Sequence, residues 1–395
     1  MNWGKREKGK GKRGEATGAD VSRFPFPVSR LPFPVSRTVL IMAGGTGGHV
    51  MPALAVAESL RDDGWRVVWL GTRAGMEAKL AVEKGFDMAW VKMAGVRGKG
   101  LLAKLLLPAN LLAAFWQAAR AIFRERPDVA LGLGGYVAFP GGMMASLLGK
   151  PLAIHEQNAI AGLTNKVLAH VADRILLGLP LASPDSPLTK KGEWVGNPVR
   201  PAIADLPDPA ARMAGRSGPL HLLVVGGSLG AAALNELVPQ AIARLPEAAR
   251  PLVRHQSGAK HLDVLQANYA AAGVQSECLA FIEDMAAALA WADVVLCRAG
   301  ALSVAEIAAS GSAALLVPFP YAVDDHQTAN ARFLADQGAA WLMQQKELDT
   351  AKLAEWLGGL TREALLERAQ KARAMAKPEA TASVARVVKE LAKCA

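Results

Sequence analysis

Seven consecutive residues, Ala43-Gly44-Gly45-Thr46-Gly47-Gly48-His49, combine side-chain-free backbone with a hydroxyl and an imidazole. They follow the apolar run 39–42 and precede a helix-like stretch at 53–60, so four glycines fall where a buried strand turns into a helix. Such a turn directs unpaired N–H groups and the positive end of a helix dipole at one point, which suits a phosphate. Glycine also lets backbone approach a ligand closely and adopt positive φ. A turn built for packing alone is the simpler alternative. The spacing matches neither G-x-G-x-x-G nor G-x-x-x-x-G-K-[ST]. The next strand, 67–70, runs into Gly71-Thr72-Arg73 where a nicotinamide site needs an acid. Both features disfavour nicotinamide and ATP.

A third glycine-rich region, Gly134-Gly135-Tyr136 with Pro140-Gly141-Gly142, is followed after the next strand by His155-Glu156-Gln157-Asn158. Backbone donors from the two glycine loops, with His49, His155, Glu156 and Asn158, read as a second anion site on the first domain's cleft edge. In the second half, Ser303 and Glu306 have the spacing of a capping box. Glu306 near a strand end could equally accept both hydroxyls of a ribose. The loop 318–330 carries His326 and Gln327, and an amide offers a sugar both a donor and an acceptor.

The elements that must position these residues alternate between short apolar runs and helical stretches. Runs at 39–42, 67–70, 88–91, 129–133, 152–154 and 174–177 are separated by helices such as 53–62, 74–84 and 109–125. A second set follows at 222–225, 251–254, 277–280, 294–297, 314–317 and 340–342. The pattern predicts an α/β fold with parallel sheets wound on both faces. Leu222-Leu223-Val224-Val225-Gly226-Gly227-Ser228-Leu229-Gly230 echoes 40–48, so two similar Rossmann-like domains are expected. Eight prolines between 178 and 220 mark their connection. The expected divisions are a disordered basic extension at 1–37, an acceptor- and membrane-facing domain at 38–200 and a sugar-nucleotide domain at 201–395. The last helix is free to pack back on the first domain. A ligand belongs in the cleft between the carboxyl edges of the two sheets.

The formal charge of +10 is concentrated in the extension, where nine Lys or Arg face three acids, leaving +4 for the rest. That balance, without interleaved aromatic and basic residues, argues against a nucleic-acid partner. The extension repeats Val-Ser-Arg three times and is too poor in apolar residues to build a core. It reads as a solvated segment, an early start codon or a basic arm for anionic lipid. The three cysteines make no metal or disulfide pattern. The stretch 129–149 is uncharged, but its glycines and Pro140 read as strand, loop and helix rather than a membrane span. Residues 101–116 are strongly apolar, broken by Lys104, Pro108 and Asn110. They suit either a buried helix or an interfacial surface element.

Taken together, 43–49, Gly134-Gly135-Tyr136, 155–162, Gly196-Asn197-Pro198-Val199-Arg200, Gly226-Gly227-Ser228, 297–301 and 325–330 resemble the MurG family. These are the N-acetylglucosaminyltransferases of peptidoglycan synthesis. The resemblance runs in order over 38–395. It implies a GT-B fold and inverting transfer from UDP-N-acetylglucosamine (UDP-GlcNAc) to lipid I, undecaprenyl-pyrophosphoryl-N-acetylmuramyl-pentapeptide, giving lipid II. Under it, Arg200, Phe281, Ile282 and Met285 surround the uridine and Glu306 holds the ribose. Ser228, Leu302 and Ser303 lie near the diphosphate, His326 and Gln327 meet the sugar, and Thr46, Gly47 and Asn158 reach the sugar donor from the first domain. His326 and Leu229 stand where relatives carry Gln. The lipid pyrophosphate falls to Gly44, Gly45, Gly48, Gly134, Gly135 and Tyr136. A membrane patch falls to Leu101, Leu102, Leu105, Leu106, Leu107, Leu111, Leu112, Phe115 and Trp116, facing anionic lipid on the cytoplasmic side of the inner membrane.

Inversion needs one in-line displacement, a base for the acceptor proton and stabilisation of departing UDP. His49 is the candidate base, because imidazole titrates near neutrality; its alternative is to position a phosphate, and Glu156 is the fallback base. No carboxylate pair is obviously placed for a metal, so none is required, and an assisting magnesium is compatible. A UDP-sugar epimerase of the same plan and a non-catalytic UDP-sugar-binding protein are the competing readings.

Overall fold

The computed structural model describes residues 37–93, 107–183, 185–227 and 230–393. The extension up to 36, the segment 94–106 and residues 228–229 lie outside the described residues. With them go the readings made for the extension, for Leu101, Leu102, Leu105 and Leu106, and for Ser228 and Leu229.

Apolar runs with no polar face can only be strands covered on both sides, and the chain supplies two sets of them. The first forms a parallel sheet of β1 (Thr38–Ala43), β2 (Arg66–Gly71), β3 (Asp87–Trp90), β4 (Val129–Gly134), β5 (Leu152–Glu156), β6 (Arg174–Leu177) and β7 (Gly192–Trp194), in the order β3-β2-β1-β4-β5-β6-β7. The second holds β8 (His221–Val225), β9 (Leu252–Gln256), β10 (Glu277–Leu279), β11 (Val294–Cys297), β12 (Ala313–Leu316) and β13 (Trp341–Leu342), in the order β10-β9-β8-β11-β12-β13. In each sheet the order reverses between its first strand and its fourth, β1/β4 and β8/β11. Open sheets of this kind bind ligands beyond the carboxyl ends of the strands at such a reversal.

The connection between the sheets is more structured than its prolines imply. Gly192–Trp194 is a seventh strand beside β6, and Pro187, Pro201 and Pro209 each open a short helix. Proline's fixed φ suits a first helical position, where its missing N–H costs nothing. The first helix, Gly47–Asp62, also begins earlier than its apolar periodicity indicates. Gly45 at φ +96° reverses the chain within one residue and Thr46 is an extended N-cap, so Gly47, Gly48 and His49 lie within the helix. The helix Ala301–Ser310 likewise begins before Ser303, with Gly300 as its N-cap. The Ser303/Glu306 capping box therefore does not form.

The last helix, Ala380–Leu391, buries Val384, Ala385 and Val388 against Ala53, Ala57 and Leu60 of the first helix, and Lys389 pairs with Asp63. Each buried valine stabilises this union by roughly 1.5–3 kcal/mol relative to exposure. The end of the chain thus closes the core of the first sheet.

Two fully buried histidines fix loops at the sheet edges. His255 at the end of β9 stands 2.9 Å from the Tyr269 hydroxyl and 3.1 Å from Asn235 Oδ1. Asn235 Nδ2 donates to the Ser257 carbonyl, so His255 Nε2 donates to Asn235 and its Nδ1 accepts from Tyr269. Burial pushes the His255 imidazole down to about 3 and that of His155 down to about 4, against an ordinary value of 6.5. The fold holds both rings neutral, whereas the unfolded chain binds protons near 6.5. Their contribution to stability is complete above that pH and is lost as pH falls toward 4, at up to about 1.4 kcal/mol per pH unit and ring. Urea midpoints measured from pH 7.5 to 5 should therefore fall with acid. His255→Gln should give a lower midpoint at pH 7.5 and a shallower decline, and an unchanged decline would rule out this source of acid sensitivity.

Candidate active site

Two glycine turns touch at the carboxyl edge of the first sheet. A register shift between Met42 and Ala43 aligns Ala43 with Gly134. A Cβ on Gly135 would stand 2.2 Å from the Gly44 carbonyl oxygen, and one on Gly134 would stand 2.8 Å from His49 Nδ1. Both residues have positive φ. The bare backbone at 134 is thus the seat of the His49 imidazole, and Tyr136 flanks the turn half-buried.

Not every N–H of the first turn is free for an anion. The buried Glu77 carboxylate accepts from Gly45 N at 3.2 Å, and from Thr72 N and Oγ1 at 3.0 and 2.9 Å. Gly47 and Gly48 occupy the first helical positions, whose N–H groups have no intrahelical partner. Thr46 is exposed and its side chain makes no capping bond.

His49 Nδ1 lies 2.9 Å from Gln157 Oε1. Gln157 is buried, with Nε2 donating to the Leu133 carbonyl at 2.8 Å and lying 3.1 Å from His155 Nδ1. His155 Nε2 in turn faces the Gly196 carbonyl at 3.0 Å. Glu156, on the opposite face of β5, has a different job. Its Oε1 accepts from Asn158 N and Nδ2, and its Oε2 from Gly162 N and Asn165 Nδ2, at 2.8–3.2 Å. Four donors fill the lone-pair sites of a carboxylate. Glu156 anchors the 158–162 loop through these bonds.

The carboxyl edges of the two sheets meet around Asn330. Its Oδ1 accepts from Ala159 N at 2.8 Å, and its Nδ2 donates to Asn158 Oδ1 and to the Ala299 carbonyl, both at 3.1 Å. The helix Gly47–Asp62 also touches the helix Ala301–Ser310. Glu306 in that second helix accepts from Arg200 NH2 at 2.8 Å, its side chain 13% exposed. Burial raises the Glu306 carboxyl above the usual range, opposed by the charge and hydrogen bond of Arg200. Arg200 Nε is buried with no partner among the described residues. Leu302 and Ser303 are half-buried one turn earlier.

Around this pair, Ile282 is buried in the core, Met285 opens the helix Met285–Trp291 and Phe281 is 64% exposed. Gly227 and Gly230 adopt positive φ, and a Cβ at 230 would stand 2.1 Å from the Ser257 carbonyl oxygen. In the last loop, Asp324 and Asp325 both hold φ near +50°, a strained state for non-glycine residues. Thr328 Oγ1 donates to Asp325. His326 Nδ1 faces the Val323 carbonyl at 2.7 Å, and Gln327 Oε1 accepts from Phe319 N.

Away from this edge, the helix Leu107–Glu125 buries Ala114, Ala118, Ala121 and Ile122, while Leu112, Trp116 and Phe123 are 62–70% exposed. Leu107, Leu111 and Phe115 are half-buried, with Phe115 edge-on to Phe139. Beside it opens a cavity of about 760 Å³ whose lining mixes Trp90, Leu107, Leu111 and Trp116 with Arg73, Lys92, Arg120 and Arg124. Among the described residues no helix is long and apolar enough to cross a membrane, and no group of three or more His, Cys, Asp or Glu is placed to hold a metal.

Three residues at the centre carried no role in the sequence reading. Gln157 stood inside a matched motif, Asn330 closed another and Glu77 lay in an unremarkable helical stretch. Only the first two had a signal that could have found them.

Residues 39–177 match the glycosyltransferase family 28 N-terminal domain and 221–391 the family 28 C-terminal domain. A UDP-N-acetylglucosamine–N-acetylmuramyl-(pentapeptide) pyrophosphoryl-undecaprenol N-acetylglucosamine transferase of Cupriavidus metallidurans is 62% identical over 355 residues, covering 90% of this chain and 98% of its own. The transferase of that name from Dechloromonas aromatica is 58% identical over 356 residues, with 90% and 99% covered. The crystal structure of Acinetobacter baumannii MurG aligns with a TM-score of 0.77 at 42% identity, over 90% of this chain and 99% of that one. A putative UDP-N-acetylglucosamine 2-epimerase from Listeria monocytogenes, at 14% identity and a TM-score of 0.59 over 90% of this chain and 96% of its own, shares the fold alone. The chain therefore has the GT-B fold and belongs to glycosyltransferase family 28 and, within it, to the MurG family of N-acetylglucosaminyltransferases.

Proposed function

We propose that this chain moves N-acetylglucosamine from UDP-GlcNAc to lipid I with inversion, and that His49 is the base. The carrying observation is the His49 imidazole, seated on the Gly134 backbone and tied to Gln157, beside the start of a helix that touches the Glu306 helix. In the reaction, the acceptor hydroxyl oxygen bonds to the anomeric carbon as the bond from that carbon to the phosphate oxygen breaks. UDP leaves with the electron pair, and the hydroxyl proton passes to His49. The N–H groups of Gly47 and Gly48 and their helix dipole favour an anion nearby, which supports a seat for the lipid pyrophosphate with Gly44, Gly134, Gly135 and Tyr136 around it. Gly45 contributes shape, since its N–H is already given to Glu77.

UDP-GlcNAc is assigned to the second sheet's edge. The unpartnered Arg200 Nε and the half-buried Glu306, whose carboxyl is raised above the usual range by desolvation, are polar groups in want of a ligand, as a ribose and uracil would supply. Phe281, Ile282 and Met285 offer apolar cover, Leu302 and Ser303 lie near the diphosphate, and His326 and Gln327 near the sugar. Thr46, Gly47 and Asn158 reach across from the first domain. The exposed Leu112, Trp116 and Phe123, with Arg120 and Arg124 on the same helix, support a peripheral seat on anionic lipid at the cytoplasmic face of the inner membrane.

UDP release measured with and without a lipid I analogue tests the reaction, which requires release to depend on the analogue. In the same assay His49→Ala should lower kcat by about 100-fold or more while KM for UDP-GlcNAc stays within about threefold, in line with loss of a general base. Turnover within a few fold of the parent would remove His49 from that role. For the membrane seat, the double change Leu112→Gln and Trp116→Gln should weaken binding to phosphatidylglycerol-containing vesicles by about tenfold or more, leaving turnover of a detergent-soluble acceptor unaltered. Equal binding of parent and variant would remove this helix from the interface.

A further inference from the structure

The hydrogen bonds behind His49 determine which of its nitrogens carries the proton. Gln157 places one atom of its amide group 2.8 Å from the Leu133 carbonyl oxygen and 3.2 Å from the His155 carbonyl oxygen. Carbonyl oxygens only accept, so that atom is the nitrogen. The other atom, 2.9 Å from His49 Nδ1, is then an oxygen that only accepts, and Nδ1 must be the donor. His155 fits the same pattern from the far side. Its Nε2 donates to the Gly196 carbonyl, so its Nδ1 carries the lone pair that faces the Gln157 amide nitrogen. The chain of bonds from Gly196 through His155 and Gln157 to His49 has one consistent direction, and His155 and Gln157 within it are buried.

We infer that Gln157 is a positioning residue that holds neutral His49 as the Nδ1–H tautomer, so that Nε2 bears the lone pair that takes the acceptor proton. The inference deepens the proposed role of His49 and rests on it. A histidine side chain free in water favours the opposite tautomer, with the proton on Nε2, and a ring in that state has no lone pair on the atom that needs one. Which nitrogen is protonated is set by the bond the other makes. A neutral amide does this without placing a charge beside the ring. Once Nε2 has taken the proton, Nδ1–H remains bonded to Gln157, so the supporting bond survives the step unchanged.

Nitrogen-15 NMR of the histidine rings reads the tautomer in the full chain without substrate. The parent should show His49 protonated on Nδ1, with its resonance identified by loss in His49→Ala. In Gln157→Met the ring should move toward the Nε2–H form. There kcat should fall between about 10- and 1,000-fold, and KM for UDP-GlcNAc should stay within about threefold. An Nε2–H ring in the parent, or an Nδ1–H ring that persists in Gln157→Met, overturns the inference without reference to turnover. A shifted tautomer with parental kcat overturns its catalytic part. Full turnover in His49→Ala is a separate failure, that of the base itself, and leaves the parent spectrum to judge the geometry.

Discussion

Nothing larger than a hydrogen atom fits on the Cα of Gly135 facing the Gly44 carbonyl, and much of the site follows from that closeness. Two strands that are neighbours in the sheet, β1 and β4, end in turns that press against each other, and the helix after β1 starts from the contact. His49, in the first turn of that helix, has a backbone as its floor, where a side chain would have displaced it. The same intimacy puts it within reach of Gln157 at the end of the next strand. A substitution at 134 or 135 would strain positive φ and collide with neighbours that cannot move independently.

Around this contact the buried polar groups divide their labour. Glu77 and Glu156 are both carboxylates with little exposure, and each is spent on backbone N–H groups of a loop beside the reaction centre. Loops cannot keep a shape through apolar packing alone, and a buried acceptor with several donors fixes one at little cost in uniqueness. The exposed or half-exposed groups, His49, Arg200, Glu306 and Gln327, are the ones with bonding capacity to offer a ligand. In this edge of the molecule burial separates scaffold from chemistry more sharply than residue type does.

Much of this was legible in the chain itself. Apolar runs such as 39–42 and 222–225 can only be strands buried on both faces, and the glycine echo between 40–48 and 222–230 correctly announces two sheets with one topology. What escaped is what spacing does not encode. The seventh strand hides in a proline-rich connection, because prolines that start helices look like prolines that end them. The carboxylate of Glu156 looks available until its four donors are counted. Asn330 and Asn158 lie 172 residues apart, and no local pattern ties them.

That last contact has a mechanical meaning. Asn330 is fully buried, and its side chain joins two positions of the first domain's loop to the loop after β11. Parting the sheets at this point would leave several buried groups without partners, at about 1–3 kcal/mol each. The asparagine is therefore a clasp between the two carboxyl edges, and any parting of them beside the sugar loop has to release it first.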